Sequence, residues 1–177
     1  MINISQIRKF DSVNGVGIGV SVFCSGCNKR CKNCFNKELQ NFSVGDHLND
    51  QKINEIVSYL KNIHVNHLSL LGGDFLDQDL DDVRLFLNII KKEVPNKLIW
   101  LWTGYVYQEM LNSDNYIDKL RCEIINDFID YLVDGPFIES LSSKRIILRG
   151  SKNQIIWKKD PISKKLVEDS ELMNFRL

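Results

Sequence analysis

Four of the five cysteines of this 177-residue chain lie within eleven positions, and this cluster constrains the fold more than any other feature. Cys27, Cys31 and Cys34 have the spacing C-x3-C-x2-C. Three thiolates on one tight loop can bind three irons of a [4Fe–4S] cube, whereas an electron-transfer cluster normally takes four cysteines. A metal site that lacks one protein ligand keeps a position open for substrate or cofactor. The spacing therefore predicts a cluster that takes part in chemistry.

Positive charge surrounds these cysteines, from Lys29, Arg30 and Lys32. Thiolate rather than thiol binds metal, and nearby cations favour the thiolate. We therefore expect the loop to ionise easily.

Zinc is a second possible metal on spacing alone. Cys24-x2-Cys27 with Cys31-x2-Cys34 could form a four-cysteine zinc site, which would make the chain an interaction module and not an enzyme. Only positions 28–30 separate the two pairs, whereas structural zinc pairs usually lie further apart, so that each forms its own turn. Cys24 also ends an apolar segment, where a buried free cysteine is common, and Cys122 is expected in the core.

Composition argues against several classes of partner. Lys+Arg and Asp+Glu are both 23, so the formal net charge is zero and gives no electrostatic reason for a nucleic-acid or membrane partner. The N-terminal residues do not have the pattern of a signal peptide, and no apolar run approaches the ~20 residues of a membrane span. Clustered cysteines do not resemble a disulfide framework. We therefore predict a cytoplasmic protein with reduced thiols.

Apolar segments alternate along the chain and predict one α/β domain. Strands are expected at 19–24, 66–71, 97–102 and 128–133, helices at 51–63, 78–94, 106–111 and 116–122, short strand or loop pieces at 145–148 and 154–157, and a peripheral tail at 158–177. Strands that alternate with helices are typically parallel, and functional residues follow their carboxyl ends. The cysteine loop, Gly72-Gly73-Asp74, Thr103-Gly104 and Asp134-Gly135 all follow strands, so we expect them at one rim of the sheet.

The cysteine loop and Gly72-Gly73-Asp74 together resemble the radical S-adenosylmethionine superfamily. Further stretches resemble, within it, the activating proteins of anaerobic (class III) ribonucleoside-triphosphate reductases; they are residues 13–17, 23–36, 99–105 (Ile-Trp-Leu-Trp-Thr-Gly-Tyr) and 149–154 (Arg-Gly-Ser-Lys-Asn-Gln). The resemblance runs from about residue 11 to 157. It implies an incomplete (β/α) barrel, a partial TIM-like fold of mostly parallel strands.

The resemblance also implies a reaction. A reduced [4Fe–4S] cluster on Cys27, Cys31 and Cys34 cleaves S-adenosylmethionine, and the 5′-deoxyadenosyl radical takes a hydrogen atom from a glycine of the reductase. The implied partners are the reductase and a flavodoxin- or ferredoxin-like electron donor. The implied cofactor contacts are Gly72, Gly73 and Asp74 at the methionine amino group, Thr103 and Gly104 beside it, and Phe35 on the adenine side.

The chain departs from the family pattern at four places. Gly15-Val16-Gly17 replaces the usual Gly-Pro-Gly, and Gly19 replaces the arginine that usually follows. Phe75 stands where a proline commonly follows the glycine-glycine-acid motif, and Asn33 precedes the third cysteine. Two other enzymes share the chemistry: an activase of another glycyl-radical enzyme, which usually needs a longer chain, and a small radical enzyme for a pterin-like molecule, which lacks the 149–154 pattern.

Overall fold

Four apolar strands form the centre of an eight-stranded mixed sheet, in a computed structural model that describes residues 1–175. The strands are β1 (Asn3–Asp11), β2 (Gly19–Ser25), β3 (Asp46–His47), β4 (His67–Gly72), β5 (Leu98–Trp102), β6 (Tyr131–Asp134), β7 (Ile155–Lys159) and β8 (Leu166–Glu168). The helices are α1 (Asp50–Leu60), α2 (Leu80–Glu93), α3 (Tyr107–Leu111), α4 (Tyr116–Phe128) and α5 (Ser170–Asn174). Across the sheet the order is β3-β1-β2-β4-β5-β6-β7-β8.

Parallel pairing is confined to β2, β4, β5 and β6, whose crossover connections carry α1 to α4. The other four of the seven pairings are antiparallel. The sheet therefore differs from the predicted one of mostly parallel strands. The physical reason lies in the connections, because a parallel pair needs a long crossover, usually an α-helix. The β1–β2 and β7–β8 connections are short, and the β6–β7 connection has only a 3₁₀ turn, Glu139–Leu141.

Helices α1 to α4 cover one face of the central strands. Strand residues on the side of the helices, such as Val22, Leu70 and Leu101, form one buried cluster with the apolar stripes of α1, α2 and α4. Each of these helices begins at a side chain that accepts backbone N–H bonds, namely Asn49, Asp79 and Asn115. This packing fixes the carboxyl ends of the central strands at one rim.

Aromatic side chains occupy the opposite face of the sheet. The ring centroid of Trp100 lies 4.1 Å from that of Tyr131 and 5.6 Å from that of Trp102, in stacked pairs. The two tryptophans share a face because side chains alternate along a strand with a period of two. Leu172 and Met173 of α5 pack against the same cluster, so the end of the chain covers part of this face.

Several predicted boundaries are wrong. Helix α4 continues to Phe128, since Ile124, Ile125 and Phe128 extend its buried stripe, and the strand that was expected from 128 begins at Tyr131. The tail expected at 158–177 instead completes β7 and supplies β8 and α5. Residues 176 and 177 lie outside the described part of the chain. Strand β1 has no counterpart in the sequence prediction.

No helix among the described residues combines the length and the hydrophobicity that a membrane crossing requires.

The core of α2 offers a direct test of this packing. Leu87 is fully buried, so Leu87→Ala should lower the free energy of unfolding by about 2–5 kcal/mol. Leu85 lies on the same helix but is 61% exposed, so Leu85→Ala should change it by less than about 0.5 kcal/mol. Urea unfolding of both variants measures the difference. Equal losses would contradict the assignment of the buried face.

Candidate functional site

The carboxyl ends of the central strands surround a cavity of about 1070 Å³. Every residue that the sequence predicts for the site lines this cavity: Cys27, Cys31, Cys34, Phe35, Gly72, Gly73, Asp74, Thr103 and Gly104. The remaining two cysteines, Cys24 and Cys122, are buried in the main core cluster, as expected. The cavity thus brings together residues from three separate strand ends.

Register explains why the cysteine loop meets the second motif. In the parallel pair of β2 and β4, Cys24 lies opposite Gly72, so the loops after both strands start at the same level. The Gly73 amide donates to the Cys24 carbonyl at 2.7 Å, and the Asp74 amide donates to the Gly26 carbonyl at 2.9 Å. The two loops are therefore bonded to each other through their backbones.

The paired glycines make this close approach possible. A Cβ on Gly73 would lie 2.4 Å from the Gly26 carbonyl oxygen, and one on Gly72 would lie 2.6 Å from that of Cys24. Gly72 also has a φ of +104°, in the region that favours glycine. The family resemblance implies that these glycines contact the cofactor. In the structure they line the cavity, and the tight contact that they permit is with the backbone of the cysteine loop.

Asp74 ties the end of β4 to the end of β5. Its carboxylate accepts hydrogen bonds from the Thr103 hydroxyl at 2.9 Å, the Gly104 amide at 2.9 Å and the Leu76 amide at 3.0 Å. Burial of the side chain, with the negative charge of Asp77 nearby, raises the pKa of Asp74 to about 6. A group expected only to receive a ligand thus also holds two strand ends together.

Cys27 has a different environment from the one that its basic neighbours suggest. Its Sγ and carboxylate oxygens of Asp74 and Asp77 lie within 4.8 Å of one another. Burial, together with these carboxylates, raises the pKa of the Cys27 thiol to about 12. The prediction that positive charge favours the thiolate is therefore wrong for Cys27. Metal binding at this residue must displace a proton.

The three cavity-lining thiols fit a cluster better than a single ion. A zinc ion with four cysteines needs sulfurs about 3.8 Å apart, because Zn–S bonds are about 2.3 Å long. Among residues 1–175, the one set of three candidate ligand atoms within 4.8 Å of each other is that of Cys27, Asp74 and Asp77. Those carboxylates are engaged with protein donors, and Cys24 is buried within β2. Three soft sulfur donors around an open cavity suit an iron–sulfur cluster.

Comparison with known proteins agrees with this chemistry. Residues 13–157 match the family model described as a 4Fe-4S single cluster domain. A protein of Haemophilus influenzae named anaerobic ribonucleoside-triphosphate reductase-activating protein is 35% identical over 158 residues, 88% of this chain and 97% of that protein. Proteins of the same name from Enterobacteria phage T4 and Escherichia coli K12 are 31% identical over 157 residues and 32% identical over 158. These matches cover 88% of this chain in both cases, and 94% and 97% of those proteins. This chain belongs to the family of anaerobic ribonucleoside-triphosphate reductase-activating proteins.

Two further stretches that carry the family resemblance support the walls of the cavity. The Arg149 guanidinium donates to the Gln154 carbonyl at 2.7 Å and to the Met173 carbonyl at 2.9 Å, so it holds α5 against the cavity. Elsewhere in the cavity lining, the Asn14 carbonyl accepts from the buried His67 ring at 2.8 Å. A Cβ on Gly15 or Gly19 would lie within 2.4 Å of that ring. Residues 149–154 and 13–17 therefore order loops of the cavity lining through contacts with residues that are distant in the chain.

Three residues beside the cysteine loop are not predicted from the sequence: Asp77, Arg121 and Phe137. Phe137 packs on Phe35 with ring centroids 5.0 Å apart, and Asp77 accepts from the Asn28 amide at 2.7 Å. Asp77 stands among several acidic residues around the start of α2, where the helix dipole favours negative charge, so its position in the sequence does not identify it as a site residue. Arg121 lies on α4, and no local sequence pattern identifies it as a residue of the site.

The raised pKa of Asp74 predicts a pH-dependent stability difference. The pKa of Asp74 in the folded protein, about 6, exceeds the value of 3.8 for a free carboxyl. The contribution of Asp74 to the free energy of unfolding is therefore complete below about pH 4 and is lost as the pH rises through 6. The Asp74→Asn variant has no carboxyl at this position, so it does not lose this stability as the pH rises. The stability of the variant relative to the unmodified protein should therefore rise between pH 4 and 6.5, by on the order of 2 kcal/mol.

Urea unfolding of the protein at several pH values measures this difference, and Asp114→Asn is the control because that side chain is fully solvated. The control should show no such rise. A relative stability of Asp74→Asn that is flat or falls with pH would mean that Asp74 has no raised pKa.

Proposed function

We propose that this protein is a radical S-adenosylmethionine enzyme that generates the glycyl radical of an anaerobic ribonucleoside-triphosphate reductase. The observation that carries the proposal is the convergence of Cys27, Cys31 and Cys34 with Gly72-Gly73-Asp74 around one cavity. Membership of the activating-protein family and the match to a 4Fe-4S domain support it.

Cys27, Cys31 and Cys34 would hold the cluster, and the cavity beside them would take S-adenosylmethionine. When bound, the reduced cluster supplies one electron that cleaves S-adenosylmethionine to methionine and a 5′-deoxyadenosyl radical, which takes a hydrogen atom from a glycine of the reductase. The protein supplies ligation, orientation and exclusion of water. A flavodoxin- or ferredoxin-like protein is the proposed electron donor.

The Asp74 carboxylate has one hydrogen-bond acceptor position left for an ammonium group. A carboxylate has about four acceptor positions, and the protons of Thr103, Gly104 and Leu76 use three. The ammonium of the methionine part would take the fourth and would bring a positive charge next to a buried carboxylate. That charge favours the ionised form, so cofactor binding should lower the pKa of Asp74.

The open side of the cavity is suited to a protein substrate. We propose that the sheet is an incomplete (β/α) barrel, whose helix-covered face is closed and whose other face holds the cofactors. Phe35 lines this cavity, is 76% exposed and is the proposed adenine-side residue. Val13 and Val16 are also exposed at its wall. A barrel that does not close leaves space for a loop of a large partner to reach the radical.

The reaction is tested by mixing the reconstituted, reduced protein with S-adenosylmethionine and the reductase under anaerobic conditions. We expect 5′-deoxyadenosine, methionine and a glycine-centred doublet in electron paramagnetic resonance. Cleavage without that doublet would point to an activase of another enzyme. About one zinc per chain with no sulfide would refute the proposal.

Cysteine variants test which thiols bind the cluster. Alanine at Cys27, Cys31 or Cys34 should reduce S-adenosylmethionine cleavage to background, since each removes one of three ligands. Cys24→Ala and Cys122→Ala are the matched controls, because both thiols lie in the core, and they should retain iron, sulfide and cleavage. Loss of the cluster in Cys24→Ala with retention in Cys31→Ala would show that the ligands are assigned wrongly.

A further inference from the structure

Tyr105, which lies outside the cysteine loop, contacts the segment that begins at Cys27, both directly and through Asp77. We propose that Tyr105 is a positioning residue that holds residues 27–29 in the conformation that binds the cluster and screens the Asp77 carboxylate, which lies close to Cys27. This inference rests on the proposed function, because it concerns the cluster that the loop would hold. Tyr105 is not among the residues expected to contact cofactor.

The tyrosine acts on the loop backbone through one buried carboxylate. The Tyr105 hydroxyl donates to Asp77 Oδ1 at 2.6 Å, and the Asn28 amide donates to Asp77 Oδ2 at 2.7 Å. The Asp77 side chain is fully buried. Because Asn28 directly follows Cys27, a shift of Asp77 would move the first ligand of the loop.

The ring of Tyr105 holds the loop by a second contact. The Nζ atom of Lys29 lies 3.4 Å from the ring centroid, and the guanidinium carbon of Arg121 lies 3.9 Å from it. Such cation–ring contacts are attractive, and they strengthen when water is excluded. The Lys29 stem also crosses Gly104, where a Cβ would lie 2.7 Å from its Cγ. Tyr105, in the loop that follows β5, therefore contacts the cysteine segment directly through its ring and indirectly, by way of Asp77, through its hydroxyl.

Arg121 anchors this arrangement to the helical layer. Its Nε donates to the Leu76 carbonyl at 3.0 Å, and its Nη1 pairs with Asp118 at 2.8 Å. It also lies 3.7 Å from Asp77. The buried Asp77 charge is thus balanced by a guanidinium and by two hydrogen-bond donors, one of which is Tyr105.

Screening of the Asp77 charge should affect the reduction potential of the cluster. Reduction adds negative charge beside Cys27, and a less screened carboxylate within 4.8 Å of its sulfur opposes that charge. Loss of the Tyr105 hydroxyl should therefore make the reduction potential more negative. Loss of the ring as well should release Lys29 and loosen the loop.

Two substitutions separate these contributions. Tyr105→Phe keeps the ring for Lys29 and Arg121 and removes only the bond to Asp77, whereas Tyr105→Leu removes both. Tyr107→Phe is the matched control, because its hydroxyl also donates at 2.7 Å, to Asn126, and that bond lies between α3 and α4 and away from the cavity. All three variants change a buried or half-buried tyrosine within one short segment.

The reconstituted holoprotein is compared by redox titration followed with electron paramagnetic resonance, and by iron release to a chelator. Tyr105→Phe should give a more negative potential, and Tyr105→Leu should also release iron roughly tenfold faster, as expected when a group that orients a ligand is lost. Tyr107→Phe should match the unmodified protein in both. An unchanged potential and unchanged iron release in both Tyr105 variants would overturn the inference.

A second measurement does not need the cluster. Amide hydrogen exchange in the purified protein should be faster at Asn28 in Tyr105→Phe than in Tyr107→Phe, because the acceptor of that amide is no longer fixed. Equal exchange at Asn28 in the two variants would overturn the inference. The proposed function fails separately, if the unmodified protein holds a cluster but does not cleave S-adenosylmethionine.

Discussion

The buried carboxylate of Asp74 is the contact on which the geometry of the cavity depends. It accepts from Thr103 and Gly104 of the neighbouring strand end, while its own backbone amide bonds to the Gly26 carbonyl at the base of the cysteine loop. Three strand ends are therefore joined through one residue that is 1% exposed. A buried charge is costly unless it is hydrogen-bonded, and here its partners are the elements that it must hold in place.

The two faces of the sheet have different roles in the fold. One face is buried by α1, α2 and α4, which supplies most of the apolar burial and fixes the strand ends. The other face is lined by Trp100 and Tyr131 and leads to the cavity. Because α1 to α4 pack on the first face, the second face keeps space for ligands, apart from the part that α5 covers. The antiparallel edge strands extend this sheet without helical crossovers, because their connections are short.

Much of the site could be predicted from the sequence, for identifiable reasons. Cysteine spacing is local, so three thiols on one loop are evident without a fold. Parallel strands place their carboxyl ends at one rim, which was enough to bring Gly72-Gly73-Asp74 and Thr103-Gly104 towards that loop. Short or antiparallel pieces such as β1 and β8 were missed, because their apolar content is low and their stability depends on neighbouring strands.

The sequence by itself determined the spacing of the three cysteines and the positions of the central strands along the chain, since these follow from covalent distance and hydrophobic periodicity. Only the tertiary structure decided what each site residue touches. The register that sets Cys24 opposite Gly72 places the paired glycines against the cysteine loop. Burial beside Asp74 and Asp77 raises the pKa of the Cys27 thiol, and Lys29 and Arg121 both lie on the ring of Tyr105. Such contacts join residues far apart in the chain, so they depend on long-range pairing and burial, which no local pattern encodes.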